Sequence, residues 1–168
     1  DGLAELGDAV SQARRRKPVV AVVEGLCASA AFYAAASASE IVSGRMDLIG
    51  SIGTIVTVYD ASEAFKTAGL RPVVISTGKY KGAATLGLPL TADEERYLQG
   101  IVDAYFTDFR HAGMSGRGTK LIVAKWLEVD DGRIFPAAEA KRLGLIDGFG
   151  RMGDTLARLH ADSLRLQA

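Results

Sequence analysis

An α/β fold with a largely parallel sheet is what this sequence predicts, on three observations. Short runs of β-branched and apolar residues at 18–23, 40–43, 52–59 and 72–76 are too brief for helices, and the first is continuous enough to be buried on both faces. Segments with helical periodicity, several carrying start or stop signals, alternate with them. No internal repeat or low-complexity linker divides the 168 residues, so residues 1–168 read as a single domain with one core.

Residues 1–10 read as a helix, with Leu3, Leu6 and Val10 at helical spacing and the basic run at 14–17 near its C-terminal end, where cations favour the dipole. The strand at 18–23 follows. Residues 24–28 break the pattern, with Gly25 free to take angles other residues resist. Residues 30–38 are mostly alanine, the strongest helix former, so a helix starts just after Ser29. Residues 40–43 and 52–59 read as strands. Asp60 with Glu63 has a capping-box pattern for a helix ending near Gly69. A strand at 72–76 leads into Gly78, Lys79, Tyr80 and Lys81. Thr91 with Glu94 starts a longer helix whose Tyr97, Ile101, Tyr105 and Phe109 recur every fourth residue, a stripe for core or subunit packing. After a loop at 113–118, Trp126 belongs to a short helix. Ile134 and Phe135 form a short strand, Pro136 opens a helix at a position that tolerates it, and Gly144 closes it. An amphipathic helix from Met152 to Leu166 ends the chain.

The candidate chemistry lies around Ser29 and the lysine pair. A serine at a strand-to-helix turn sits where unpaired N–H groups and the positive end of the helix dipole favour developing negative charge. The Ala30 N–H could then stabilise an oxyanion, in the manner of a nucleophile elbow, although the Gly-x-Ser-x-Gly spelling is absent. The alternative reading of Ser29 is an N-cap. His111 and His160 are the only histidines, and neither has a motif around it, so a Ser-His-Asp triad finds no support. A lysine whose charge is suppressed by burial can take the serine proton instead. Lys79 and Lys81 are the candidates, with two solvated loop lysines as the alternative. Cys27 lies close to Ser29 but reads as buried packing.

Five blocks carry a family resemblance: Lys-Pro-Val-Val-Ala at 17–21, Ala-Ser-Ala-Ala-Phe-Tyr at 28–33, Ile-Gly-Ser-Ile-Gly at 49–53, Ser-Thr-Gly-Lys-Tyr-Lys at 76–81, and Asp-Gly-Arg-Ile-Phe at 131–135 followed by Gly-Leu-Ile-Asp at 144–147. In this order they resemble signal peptide peptidase A and the related phage capsid-assembly proteases, over nearly the whole chain. The resemblance implies a Clp protease/crotonase-like fold of repeated ββα units and a Ser-Lys serine endopeptidase. It implies Ser29 as nucleophile, Lys81 as general base, Ser51 as the group that orients the lysine, and the Ala30 N–H as an oxyanion donor. It also implies a peptide or protein substrate, either signal-peptide remnants or capsid and scaffold protein, and a homo-oligomer with active sites near subunit boundaries. Ala30 and Ala31 stand where bacterial members usually carry Gly-Gly, which looks more like the phage branch. The family's upstream Gly-Gly oxyanion turn has no counterpart here, so a domain lacking its N-terminal strands and that turn is expected.

Other classes find less footing. Lysine plus arginine equals aspartate plus glutamate at 20 each, which offers nothing to a nucleic acid. One cysteine allows no internal disulfide and fits a reducing compartment. The resemblance to the phage branch implies a cytoplasmic location, with the cell envelope, through an anchor outside this chain, as the alternative. No run approaches the length of a membrane span. No cofactor or metal is expected. A crotonase-type acyl-CoA enzyme is the main alternative, because residues 17–25 resemble that superfamily's oxyanion segment; an inactive oligomerisation module is the other.

Overall fold

The computed structural model describes residues 2–121, 126 and 128–165. The chain divides into two compact units, one formed by Asp1–Gly53 with Thr107–Ala168 and the other by Thr54–Phe106.

The first unit holds two small sheets. Strands β1 (Val20–Val23) and β3 (Glu40–Ser43) pair in parallel, Val20 opposite Glu40, and β6 (Gly148–Phe149) adds to β3, also parallel. Strands β2 (Leu26–Ala28) and β4 (Leu48–Gly50) pair in parallel in the second sheet, and β5 (Ile134–Pro136) runs antiparallel to β4. Successive strands therefore alternate between sheets: β1 and β3 build one, β2 and β4 the other, with α2 (Ala30–Ala36) following the first pair. This is the repeated ββα logic in local form.

Side-chain alternation decides what each sheet buries. In the second sheet Cys27, Ile49 and Phe135 stand opposite one another and all are buried, while their neighbours Leu26, Leu48 and Ile134 on the other face are exposed. The buried set joins Val23, Phe32, Ile41, Trp126 and Leu145 in one core. Helix α1 (Leu3–Arg14) packs on α2 through Gly7, whose missing Cβ leaves room for the Tyr33 ring, and Tyr33 in turn meets Phe109 edge-on at 5.5 Å. Leu6 stays exposed, so only part of the predicted helix face is covered in this unit.

Helix α4 (Ala92–Arg117) runs through the stretch at 113–118 that reads as a loop. Gly113 and Gly116 are packing sites instead of breakers. A Cβ on Gly113 would collide with the Trp126 ring, and one on Gly116 with the Ala36 carbonyl. Helix α5 (Ala137–Leu143) is bounded by Pro136 and by Gly144 at φ +86°, as predicted, and α6 is Met152–Arg165. Leu166, and most of the short helix expected around Trp126, lie outside the described residues.

An ion-paired node closes this unit. The Asp147 carboxylate accepts the Ile41 N–H (2.7 Å), the Arg117 guanidinium (2.9 and 3.1 Å) and the Lys120 ammonium (2.9 Å), while Arg117 also donates twice to the Gly144 carbonyl. It ties the end of α4, the start of β3 and the segment after α5. Burial pushes the Asp147 carboxyl up, but these hydrogen bonds and charges outweigh it and hold the group at about 2.

In the second unit, α3 (Ser62–Thr67) starts where Asp60 accepts the Ser62 N–H (2.9 Å), an Asx turn in place of the expected Asp60–Glu63 box. The box at α4 is reciprocal: the Thr91 N–H donates to Glu94 (2.9 Å) and the Glu94 N–H to the Thr91 hydroxyl (3.3 Å). The runs at 52–59 and 72–76, which read as strands, make no ladder pairs among the described residues. β-Branched composition specifies a strand only beside a partner and a core face. Ile52 is buried in the first unit's core, but beyond Gly53 the apolar side chains face outward, with Ile55 87% and Ile75 96% exposed, so neither condition is met there. Tyr97, Ile101 and Tyr105 of the α4 stripe are likewise exposed, Tyr97 stacking on Tyr80 at 4.6 Å.

Candidate active site

Ser29 stands between β2 and α2. Its side chain is exposed, and its backbone has φ 50° and ψ −121°, a combination that L-residues avoid. Strain of this kind costs on the order of 1–3 kcal/mol and persists only where the surroundings impose it. Two backbone hydrogen bonds do so here: the Ser29 N–H donates to the Gly50 carbonyl (2.9 Å), and the Ser29 carbonyl accepts the Tyr33 N–H (3.0 Å). The hydroxyl caps no helix N–H. The N-cap reading of this residue thus lacks its defining bond. Ala30 opens α2, so its N–H has no intrahelical acceptor.

Ser51 lies one strand away. Because β2 and β4 run parallel with Ala28 opposite Gly50, the next residues, Ser29 and Ser51, leave adjacent strand ends. Ser51 also has φ 50° and donates its N–H to the Arg133 carbonyl at 2.6 Å. The fold therefore brings two of the predicted site residues together, each on a strained backbone at a strand end.

Lys81 belongs to the second unit, in the turns at 77–84, with its N–H bonded to the Gly78 carbonyl (3.1 Å) and its side chain exposed. Lys79 is committed elsewhere. Its ammonium bonds the Asp93 carboxylate, which, with Tyr80, holds its proton more tightly than in a free lysine. Lys79 thus stands in an exposed ion pair.

Cys27 is buried and burial pushes its thiol up to about 11, so it offers almost no thiolate near neutrality. Its side chain packs into the core beneath the sheet, away from the exposed strand ends. Among the described residues no cluster of histidine, cysteine, aspartate or glutamate could hold a metal ion, and no helix is long and apolar enough to cross a membrane.

Sequence reasoning gives no role to Gly50 or to residues 131–135, yet both frame the serines. The signal was present in the quoted blocks: a glycine directly before Ser51, and an Asp-Gly-Arg turn that the structure places beside it.

The chain is 33% identical over 155 residues to a Methanocaldococcus jannaschii protein with a provisional protease name, a match covering 92% of this chain and 49% of that protein. It is 31% identical over 144 residues to the chloroplastic serine protease SPPA of Arabidopsis thaliana, covering 84% of this chain and 21% of that protein. It therefore spans about half, or less, of the length of these relatives. Among solved structures, a mutant of a membrane-bound stomatin-specific protease matches with a TM-score of 0.54 at 16% identity, over 95% of this chain and 62% of that one. That likeness is one of fold, and it agrees with the Clp protease/crotonase-like α/β architecture that the motifs imply. Residues 11–165 match the description "Peptidase family S49", and the chain belongs to that family.

Proposed function

We propose that this chain is the peptidase domain of a serine endopeptidase in which Ser29 attacks the peptide carbonyl. Lys81 takes the serine proton and returns it to the leaving amine, and Ser51 orients the lysine. The observation that carries the reading is the Ser29 backbone. A non-glycine residue held at φ 50°, ψ −121° between strand and helix, with an exposed hydroxyl that caps nothing, is the arrangement a nucleophile elbow needs. The Ala30 N–H is positioned in sequence to receive the oxyanion of the tetrahedral intermediate.

The choice of Lys81 over Lys79 rests on the family motif and on the pairing of Lys79 with Asp93. Lys81 is exposed, so the base role requires that substrate or a second copy cover it and exclude water. Peptides are the substrate class, in keeping with the family. Signal-peptide remnants and capsid or scaffold protein are the two sources that the motif resemblance suggests.

The test is cleavage of a fluorogenic peptide library by wild type and by Ser29→Ala, Ser51→Ala, Lys79→Ala, Lys81→Ala and Lys81→Arg. Turnover should vanish in Ser29→Ala and in both Lys81 variants, since guanidinium cannot lose its proton, and survive in Lys79→Ala. Wild-type turnover in Ser29→Ala would refute the peptidase reading. Loss with Lys79→Ala and retention with Lys81→Ala would refute the choice of base.

A further inference from the structure

We infer that Gly50 is a positioning residue that sets the two serines together, through its backbone. The proposal rests on the peptidase reading and deepens it. Gly50 is buried at the end of β4, bonded to Ser29 across the sheet and followed directly by Ser51 in the chain. Its carbonyl accepts the Ser29 N–H at 2.9 Å, one of the two bonds that hold Ser29 in its strained conformation. On its other side the Ser51 N–H donates to the Arg133 carbonyl at 2.6 Å, fixing where the Ser51 side chain leaves the strand.

Glycine is required at this node for two separate reasons. Its φ is +132°, which an L side chain rarely adopts. A Cβ would also stand 2.6 Å from the Arg133 carbonyl oxygen and 3.1 Å from the Phe135 ring. The carbonyl is the same atom that accepts the Ser51 N–H, and it belongs to backbone that β5 holds in register, Gly50 opposite Ile134. Any residue larger than glycine therefore pushes away the acceptor of Ser51 while twisting the carbonyl that holds Ser29. One methyl group disturbs both serines.

Gly50→Ala should lower kcat/KM by about 100-fold, the scale expected for a misplacement of about 1 Å, with KM little changed. Because Gly50 acts partly through Ser51, the double variant Gly50→Ala/Ser51→Ala should be slower than Gly50→Ala by much less than Ser51→Ala is slower than wild type. The pH midpoint of kcat/KM should move in the same direction in Gly50→Ala as in Ser51→Ala. Losses that multiply independently, or a wild-type midpoint in Gly50→Ala, would overturn the proposal. Amide exchange provides a readout that needs no turnover. In wild type the Ser29 and Ser51 amides should exchange slowly, and in Gly50→Ala both should lose protection while the β1 and β3 amides keep theirs. If the variant does not fold, fast exchange at either serine amide of the wild type overturns the proposal and slow exchange at both supports it. Full turnover in Ser29→Ala would refute the peptidase reading, whereas these amide measurements test the node whatever that variant does.

Discussion

Replacing Asp147 by Asn probes the node that joins α4, β3 and the segment after α5, and the cost follows from the geometry. The Arg117 side chain is 1% exposed, so the substitution leaves a buried guanidinium without its anion. Removing one partner of a buried pair typically costs about 3–5 kcal/mol. The depressed Asp147 carboxyl, held down by the same contacts, points to a cost of the same order. Folding lowers the Asp147 carboxyl from 3.8 to about 2, and at about 1.36 kcal/mol per unit this amounts to about 2.5 kcal/mol, an order-of-magnitude value. The sign is fixed by the depressed value: between the folded and unfolded pKa the unfolded chain binds more protons, so this stabilisation is complete above about pH 5 and lost as pH falls towards 2. Urea unfolding of wild type and Asp147→Asn, from pH 7 down to pH 3, isolates the effect, because the other carboxylates cancel in the difference. The gap should be about 3 kcal/mol at pH 7 and should shrink by roughly 1 kcal/mol by pH 3. A gap that stays constant over this range would refute the claim that a depressed Asp147 pKa contributes to stability.

Three glycines of α4 should respond in opposite directions to the same substitution. Gly100→Ala meets nothing within 4 Å and should stabilise by about 0.5–1 kcal/mol, whereas Gly113→Ala and Gly116→Ala should destabilise by about 1–3 kcal/mol or more as Trp126 or the Ala36 backbone is displaced. Thermal unfolding of the three variants checks this, and stabilisation by all three would show that the close helix contacts do not exist. Cys27, with its thiol pushed up to about 11, should react with a disulfide reagent at pH 8 only on unfolding. Cys27→Ala should leave peptide cleavage intact, and loss of cleavage in a folded variant would bring the thiol back as a nucleophile.

Much of the fold is legible in the sequence because local signals and tertiary environment agree there. Thr91 with Glu94 specifies a helix start that the structure completes bond for bond, and Pro136 with Gly144 brackets α5. The run at 18–23 and the residues at 40–43 form a parallel pair because each supplies apolar side chains on both faces. Short strands such as Leu26–Ala28, Leu48–Gly50 and Gly148–Phe149 escape notice, since two or three residues carry no period and exist only through their neighbours. The opposite error arises at 52–59 and 72–76, where composition points to a strand but no ladder partner is present among the described residues. Gly113 and Gly116 mislead for a related reason: glycine signals a break only when its freedom is used for the backbone, and here its small size is used for packing.

The candidate site divides along the same line. Side chains can be nominated from sequence, so Ser29, Ser51 and Lys81 are visible as residue types in a motif. What makes a serine reactive is its frame, and that frame is backbone: φ 50° at both Ser29 and Ser51, a carbonyl at Gly50 and another at Arg133. None of these depends on the identity of a side chain at the atom that acts, which is why the sequence gives Arg133 no role of its own. The exception is glycine, where the absence of a side chain is itself the requirement. A glycine flanking a candidate nucleophile or its helper is therefore the one place where a sequence exposes backbone geometry. In this chain Gly50 carries that information and Gly53, with nothing nearer than 3.6 Å, does not. The two glycines of one motif should thus differ in their tolerance of alanine, and the difference follows from where the Arg133 carbonyl stands.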